Sequence, residues 1–325
     1  AINAINTKYN SPSTKKNPQV FSKKSLIELI RAWNKYKDDK IKYKESETMK
    51  ALAEKLNNKI KPICDDKQYW CWPGALAKIA KDDKTKEIIK MIADYELRPE
   101  MPIEWSKNPI EWLSNYDIEA VMRQYSIEKK YKYAFLGVFP IDFSEEDKFG
   151  RCLYSHICSL NVKKYVNKGV KYLGLITNLD KHNESGSHWT STFIIIDPKN
   201  KSYGAHYYDS TARQIPSYVK KFMRTVMTQC NQLYPKHNFR ITYNNIQHQK
   251  KNTECGMFSM VYQIRWLNLN VHHKKLKLNS PLVDERAADK VLNDSKITDD
   301  VMIRNRKFLF RPNFQDYISK RQIKL

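Results

Sequence analysis

Five short apolar segments between residues 133 and 243 constrain the fold more than any other feature of the sequence. They are rich in β-branched and aromatic residues and too short for most helices, which is typical of strands. The segments are 133–139, 171–176, 188–197, 203–208 and 239–243. Helical periodicity surrounds them, at 115–125, at 217–233 and from 255 to about 267. The sequence therefore predicts an α+β domain in which helices flank a mixed sheet.

Two helical stretches precede this domain. Apolar residues recur at helical spacing through residues 24–60 and again through residues 74–95. Two prolines follow closely after Leu97, and prolines so near each other are typical of a boundary between domains. We therefore predict an N-terminal helical arm, residues 1–105, followed by a core domain, residues 106–325.

The chain is strongly basic. It carries 58 Lys and Arg against 35 Asp and Glu, a formal net charge of +23. Such a charge attracts anionic polymers, nucleic acid first, although a lysine-rich surface that reflects only genome composition explains it equally well. The sequence has no Gly-rich nucleotide-binding loop and no apolar run near the ~20 residues of a membrane span, so neither class of function is predicted.

Six cysteines occur, and no two of them have the spacing CxxC. The separation of Cys152 from Cys158 is too wide to indicate zinc, so no metal site is expected. We expect no disulfide framework in a chain of this length, and hence a reducing compartment such as the cytosol, the nucleus or the interior of a virion. A thiolate nucleophile survives in such a compartment.

One cysteine stands at the beginning of an apolar helix, in Thr253-Glu-Cys255-Gly-Met-Phe-Ser-Met. The partial positive charge of a helix N-terminus favours a thiolate at this position. The next residue, Gly256, leaves room for the backbone of a substrate. Cys255 is therefore the candidate nucleophile, and the alternative is an ordinary buried cysteine of the core.

The candidate base lies in a predicted hairpin. His188 begins one strand and Asp209 follows the other, and a turn midway between them places both at one end of the hairpin. A carboxylate there orients an imidazole and stabilises its charged form. Gln249, six residues before Cys255, can donate to an oxyanion together with the backbone N–H of Cys255, and Gln247 is its rival. Taken alone, the histidine is equally compatible with an exposed strand start, and either glutamine with a solvated loop.

The order of these residues resembles a known family. His-Trp, then Asp-Ser after a strand, then Gln-x5-Cys-Gly is similar to the adenovirus-protease and SUMO-protease clan of cysteine proteases. The string from His248 to Cys255-Gly is especially similar to the African swine fever virus-type polyprotein-processing proteases of large DNA viruses, and the segments that begin at Trp112 and Ile297 resemble them too. The likeness covers about residues 108–310 and implies a papain-like, SUMO-protease-like core.

The resemblance also implies a role for each residue. Cys255 would attack the scissile carbonyl, His188 would take its proton and return it to the leaving amine, and Asp209 would orient the imidazole. The swine fever enzymes carry Asn at this third position, and a charged partner should hold the imidazolium more strongly. In this clan a tryptophan walls a narrow slot for Gly-Gly, which Trp189 would form here with Asn178 as a lining residue. The alternatives are a core aromatic for Trp189 and a turn residue for Asn178.

Three functions stay open on the sequence. The first is a cysteine endopeptidase that cleaves viral structural polyproteins at Gly-Gly-Xaa sites during virion maturation. The second is a protease that removes SUMO or ubiquitin-like proteins from their conjugates. The third is a non-enzymatic, basic, nucleic-acid-bound virion protein with a relict protease fold. For the enzyme we expect no cofactor, stimulation by DNA, and a location in the virion and in the viral factory of the host cytoplasm.

Overall fold

The computed structural model describes residues 21–271 and 296–323. Among these residues, contacts divide the chain into two units, which we call the arm unit (21–109 and 306–323) and the core unit (110–271 and 296–305). The helices are α1 Lys23–Tyr36, α2 Met49–Cys64, α3 Trp72–Ile79, α4 Asp83–Glu96, α5 Asn115–Ile127, α6 Ser155–Cys158, α7 Val162–Asn167, α8 Ser217–Leu233, α9 Cys255–Val271, α10 Asp299–Leu309 and α11 Phe314–Lys320. The strands are β1 Tyr133–Phe139, β2 Tyr172–Asn178, β3 Trp189–Ile195, β4 Gly204–Tyr208 and β5 Arg240–Tyr243.

The core unit is built on one five-stranded sheet in the order β1-β2-β3-β4-β5. The outer pairs β1–β2 and β4–β5 are parallel, and the inner pairs β2–β3 and β3–β4 are antiparallel. Each strand coincides with one of the five apolar segments of the sequence, with ends shifted by at most two residues. The predicted α+β class with a mixed sheet is therefore confirmed.

Helices α8 and α9 pack on opposite faces of this sheet. Val219 and Met223 of α8 are buried in a cluster with Ala205 of β4. The neighbouring strand residue, His206, instead stacks on Trp266 of α9, with ring centroids 4.8 Å apart. Because successive side chains of a strand point to opposite faces, the two helices lie on different sides of β4.

A buried amide attaches α9 to the sheet. Gln263 donates from Nε2 to the carbonyl of Leu175 on β2 and to the hydroxyl of Ser191 on β3, both at 2.9 Å. Its Oε1 accepts a hydrogen bond from the Tyr133 hydroxyl. A Cβ on Gly174 would come within 2.1 Å of that oxygen, so only glycine fits there. These contacts fix the position of the helix whose first residue is Cys255.

The arm unit departs from the single helix predicted over residues 24–60. The chain leaves the helical conformation after α1 because the side-chain amide of Asn34 binds the backbone of Ile41 at both its N–H (2.6 Å) and its C=O (2.9 Å). The second helix, α2, contains Pro62, which lies beyond the helical stretch predicted over residues 24–60. Proline is tolerated there because it lies in the last turn, which ends at Cys64.

The last residues of the chain pack within the arm unit, which corrects the predicted division at residue 105. The guanidinium of Arg98 donates to the carbonyls of Lys307 (2.8 Å) and Phe308 (2.6 Å). Arg311 in turn forms an ion pair with Glu100 at 2.8 Å. Contacts between residues more than 200 positions apart leave no local pattern in a sequence, so residues 306–323 were assigned to the core domain.

Four of the six cysteines are paired, which corrects the expectation of no disulfides. Cys64 is bonded to Cys71 in the arm unit and Cys152 to Cys158 in the core unit, and the Cα atoms lie 5.6 Å and 6.3 Å apart. Both pairs span short loops, whose folding brings the Cα atoms within disulfide range. The two remaining cysteines are the buried Cys230 and Cys255.

Candidate active site

His188 and Asp209 meet at one end of the β3–β4 hairpin, as the sequence predicted. The strands pair Ser191 with Tyr208, so the continued register places residue 188 opposite Thr211 and diagonal to Asp209. Nε2 of His188 lies 2.7 Å from Oδ1 of Asp209. The carboxyl group is fully buried and the imidazole is 8% exposed, so little solvent screens this contact.

The thiol of Cys255 lies next to this pair. Cys255 begins α9, is buried, and is close enough to His188 to raise the pKa of the imidazole. Because Nε2 of the imidazole is engaged by Asp209, Nδ1 is the ring nitrogen left for the thiol. The thiol is therefore the neighbour of a base that a carboxylate orients.

This arrangement of groups favours a charged imidazole. Burial lowers the pKa of His188, but its hydrogen bond to Asp209 and the nearby Cys255 outweigh burial and raise the pKa to about 9. Burial raises the pKa of Asp209, and its contact with His188 reverses this, leaving the pKa below its ordinary value. At neutral pH the site therefore holds an imidazolium beside an ionised carboxylate.

Two further residues, which the sequence analysis missed, hold Asp209 in place. Thr211 donates to its Oδ1 from both the backbone N–H and the hydroxyl, each at 2.7 Å. Asn244, fully buried after β5, accepts from the backbone N–H of Asp209 at 2.9 Å and donates to its carbonyl at 2.7 Å. A lone asparagine beyond a predicted strand gives no sequence signal for this role, since its partner lies 35 positions away.

Gln249 is placed in the same part of the fold. Its backbone N–H donates to the carbonyl of Ser210 at 2.9 Å, and its Oε1 accepts from the Ser210 hydroxyl at 2.6 Å. Its Nε2 donates to the carbonyl of Lys251, which leaves its second N–H available. Gln249 is buried, whereas its rival Gln247 is exposed. The structure therefore favours Gln249 over Gln247 as the amide held next to Asp209.

Trp189 lies close to the start of α9. Its indole Nε1 donates to the carbonyl of Leu113 at 3.0 Å. A Cβ on Gly256 would lie 2.9 Å from the Leu113 side chain and 3.3 Å from the indole ring. The residue after Cys255 is therefore crowded from both sides, and a side chain larger than that of glycine would not fit there.

A cleft of about 450 Å³ opens beside Trp189. The exposed indole of Trp112 and the Asn178 side chain also line it. Oδ1 of Asn178 accepts from the N–H groups of Asp180 and Ser187, so this residue shapes the β2–β3 loop as well as the cleft. Trp112 was not among the predicted site residues, although the sequence places this tryptophan two residues before Ser114, which caps α5.

Within the described residues, no cluster of three or more His, Cys, Asp or Glu side chains could hold a metal ion. Across residues 21–271 and 296–323, no helix is both long and apolar enough to cross a membrane. The chemistry that the site supports uses a thiol, an imidazole and a carboxylate, and these three groups are all supplied by the chain itself.

The fold and the site together define a cysteine protease. Among known proteins, an Acanthamoeba polyphaga mimivirus protein named as a thiol protease is 28% identical over 269 residues, covering 78% of this chain and 82% of the relative. A SUMO-1 cysteine protease of African swine fever virus is 24% identical over 219 residues, covering 63% of this chain and 70% of the relative. No protein-family model matches the chain.

A solved structure shows the same fold. The crystal structure of an African swine fever virus protease superposes with a TM-score of 0.57 and 18% sequence identity, covering 94% of this chain and 98% of that one. This structure confirms the fold, and the two sequence relatives confirm the resemblance to viral cysteine proteases that the motifs suggested. The chain is a thiol protease, and its relatives are viral cysteine proteases.

Proposed function

We propose that this protease cleaves viral structural polyproteins after Gly-Gly during virion maturation. The observation that carries the proposal is the hydrogen-bonded pair of His188 and Asp209 with the Cys255 thiol next to it at the start of α9, beside a cleft with tryptophans in its lining. The crowding of Gly256 by Trp189 and Leu113 supports a substrate that is narrow before the scissile bond. Glycine is the residue that meets this condition.

The proposed reaction has two steps. The Cys255 thiolate attacks the scissile carbonyl, and the His188 imidazolium gives its proton to the leaving amine, which breaks the peptide bond and leaves a thioester. His188, now neutral, takes a proton from water, whose oxygen attacks the thioester and releases the carboxylate product. Asp209 orients the ring in both steps, and the N–H of Cys255 with the amide of Gln249 would stabilise each oxyanion.

A pair of quenched-fluorescence peptides tests this proposal, one with Gly-Gly-Ala and one with Val-Val-Ala at the cleavage site. We expect cleavage of the Gly-Gly peptide alone, and loss of that cleavage in Cys255→Ser and in His188→Ala. Cys230→Ser is the matched control because Cys230 is the other unpaired cysteine and lies away from the site, in the α8 core cluster. Equal cleavage of both peptides would contradict the Gly-Gly specificity, and cleavage by Cys255→Ser would contradict the mechanism.

Deconjugation of SUMO-like proteins is the second candidate, because the swine fever relative is named as a SUMO-1 cysteine protease. The chemistry would be identical and only the partner would differ. A ubiquitin-like protein with a C-terminal vinyl sulfone distinguishes the two: rapid labelling of Cys255 by SUMO favours deconjugation, and labelling only by a short Gly-Gly probe favours polyprotein cleavage. The non-enzymatic alternative loses its support, because the relatives of this chain are named as thiol and cysteine proteases.

We further propose that the protease acts in the virion and in the viral factory of the host cytoplasm, with nucleic acid as a second partner. The viral relatives and the net charge of +23 support this. The two disulfides imply that the chain also meets oxidising conditions. Fractionation of purified particles and infected cytoplasm, followed by detection of the protease in each, tests the location; its absence from particles would contradict it.

A further inference from the structure

Two long segments of the core unit contain no acidic residue. Residues 148–179 include six Lys and Arg and no Asp or Glu, and residues 210–253 include eight Lys and Arg and again no Asp or Glu. The whole chain has 35 acidic residues among 325, so the acidic residues are concentrated elsewhere. Positive charge that is concentrated in two segments points to a particular surface of the protein, whereas an evenly lysine-rich composition does not.

The fold places these two segments against each other through α7 and α8. Gln229 of α8 accepts from the backbone N–H of Val162 at 2.8 Å and donates to the carbonyl of Leu160 at 2.8 Å. Val162 and Leu160 also share the apolar cluster under α8. One of these hydrogen bonds binds the first residue of α7 and the other binds the residue two positions before it. Together they hold α7 beside α8.

Six cations project from this pair of helices, and we call them the α7–α8 basic face. They are Lys163, Lys164 and Lys168, in and just after α7, and Lys220, Lys221 and Arg224 of α8. All six are exposed, and none forms an ion pair within the described part of the chain. The three cations of α8 lie on the side of that helix opposite its buried residues Val219, Phe222, Met223 and Val226.

The arm unit shows the contrast. Several of its cations are paired with neighbouring carboxylates: Arg31 pairs with Glu28 and Glu45, and Lys35 pairs with Asp82. Cations that already bind a carboxylate contribute little to the attraction of a further anion. None of the six cations of the α7–α8 basic face forms such a pair within the described residues, so all six are available to bind a further anion.

We propose that the α7–α8 basic face binds the phosphodiester backbone of duplex nucleic acid. Between Lys220 and Gln229, the residue that binds α7, helix α8 is about 14 Å long. A duplex carries one phosphate charge per ~1.7 Å of its axis, so this length of helix can lie along several phosphates. The face bears no exposed large apolar side chain among its described residues, so it lacks the means of inserting into a lipid surface. Thr225 and Thr228 add exposed hydroxyl groups on α8.

Binding there leaves the active site open, because α8 and α9 lie on opposite faces of the sheet. The catalytic thiol begins α9, whereas the basic face lies on α8 and the adjoining α7. A polypeptide and a nucleic acid can therefore be bound at the same time. This inference deepens the proposed nucleic-acid partner and rests on it, but it does not depend on the cleavage reaction.

The test is direct binding of a fluorescent DNA duplex to full-length protein, followed by anisotropy across a salt series in the absence of peptide. With six phosphate contacts, the slope of log K against log salt should be about −5. Two double variants remove cations from the face: Lys163→Glu/Lys164→Glu on α7 and Lys220→Glu/Lys221→Glu on α8. Each should reduce the size of that slope by about 2 and weaken binding on the order of 100-fold at ~50 mM salt. Thermal melting checks that each variant is folded.

The matched control is Lys23→Glu/Lys24→Glu at the start of α1, which makes the same change in net charge outside the face. Lys163→Arg/Lys164→Arg retains the charge and should retain binding. Equal weakening by the control would overturn the proposal, because binding would then follow net charge and not the face. Parallel arms with an RNA duplex and with phosphatidylserine vesicles identify the source of phosphate: binding of either duplex supports the proposal, and preferential binding of vesicles overturns it. Loss of peptide cleavage with duplex binding intact would affect only the proposed proteolysis.

Discussion

Replacing Asp209 by Asn tests the electrostatic part of the site. The substitution removes one negative charge from a fully buried position while the shape stays almost the same. The pKa of His188 is raised to about 9 although burial opposes the rise, and the hydrogen bond to Asp209 is the largest raising contribution. A rise of about 2.5 pKa units corresponds to a preference of about 3 kcal/mol for the imidazolium form. Without the carboxylate, burial should return the pKa to about 6.5 or below.

The expected loss of activity therefore depends on pH. At about pH 8 an imidazole with a pKa near 9 is ~90% protonated, and one with a pKa near 6.5 is only ~3% protonated, so kcat/KM should fall about 30-fold. At about pH 6 both forms are mostly protonated, and the loss from this cause should be under about twofold. The alkaline limb of the pH profile should accordingly move from about 9 in the wild type to below about 7.

The assay is cleavage of the Gly-Gly peptide from about pH 5 to pH 10 by the wild type and by Asp209→Asn. Thr211→Val is the matched control, since it removes the hydroxyl that donates to Oδ1 of Asp209 at 2.7 Å and keeps the charge. Its alkaline limb should stay near that of the wild type. A loss in Asp209→Asn that is equal at both ends of the pH range would refute the electrostatic reasoning and leave Asp209 a purely structural role.

Stability provides a second measurement with a defined sign. The folded-state pKa of His188 lies above its ordinary value, so its contribution is complete below about pH 6.5 and is lost as the pH rises through about 9. The pKa of Asp209 lies below its ordinary value, so its contribution is lost in acid instead. The difference in unfolding free energy between the wild type and Asp209→Asn should therefore be greatest near pH 5 to 6, and urea denaturation at several pH values measures it.

Three further substitutions have defined outcomes. Asn244→Ala leaves the backbone N–H and C=O of Asp209 without their buried partner and should cost about 2–4 kcal/mol in urea denaturation; wild-type stability would contradict this. Trp189→Phe loses the indole hydrogen bond to Leu113, at about 1 kcal/mol, and should raise the KM of the Gly-Gly peptide more than it lowers kcat. Cys152→Ser removes the disulfide to Cys158 and should lower the free energy of unfolding by about 2 kcal/mol. The variant should therefore have a lower Tm than the wild type, and a reductant should lower the Tm of the wild type to the same value.

The sheet could be predicted from the sequence because each strand is a local pattern. The five apolar segments correspond to β1–β5, and the turn between β3 and β4 determines which residues face each other. From that register alone, His188 and Asp209 were expected at one end of the hairpin. A helix cap is an equally local feature: the Thr298 hydroxyl accepts from the N–H of Val301 at the start of α10, just before two aspartates.

Features that depend on distant parts of the chain could not be predicted. Pairing of Arg311 with Glu100 determines that the C-terminal residues join the arm unit, and nothing near either residue signals the partner. The break after α1 escaped notice for a subtler reason, because Asn34 lies within the periodic pattern and terminates the helix by binding a residue seven positions ahead. Periodicity records which face is buried and does not record which side chains bind the backbone.

The end of β4 organises the whole site, which explains why its backbone matters as much as its carboxylate. Asn244 binds the N–H and C=O of Asp209, and Gln249 binds the backbone and hydroxyl of Ser210. His188 reaches this strand end across the hairpin, and only Cys255 arrives from a separate helix. Because each partner binds the same two consecutive residues, a shift of that short segment would displace the base, its carboxylate and the amide together. The position of the carboxylate that orients the base is therefore set in part by Asn244, which lies outside the catalytic motif.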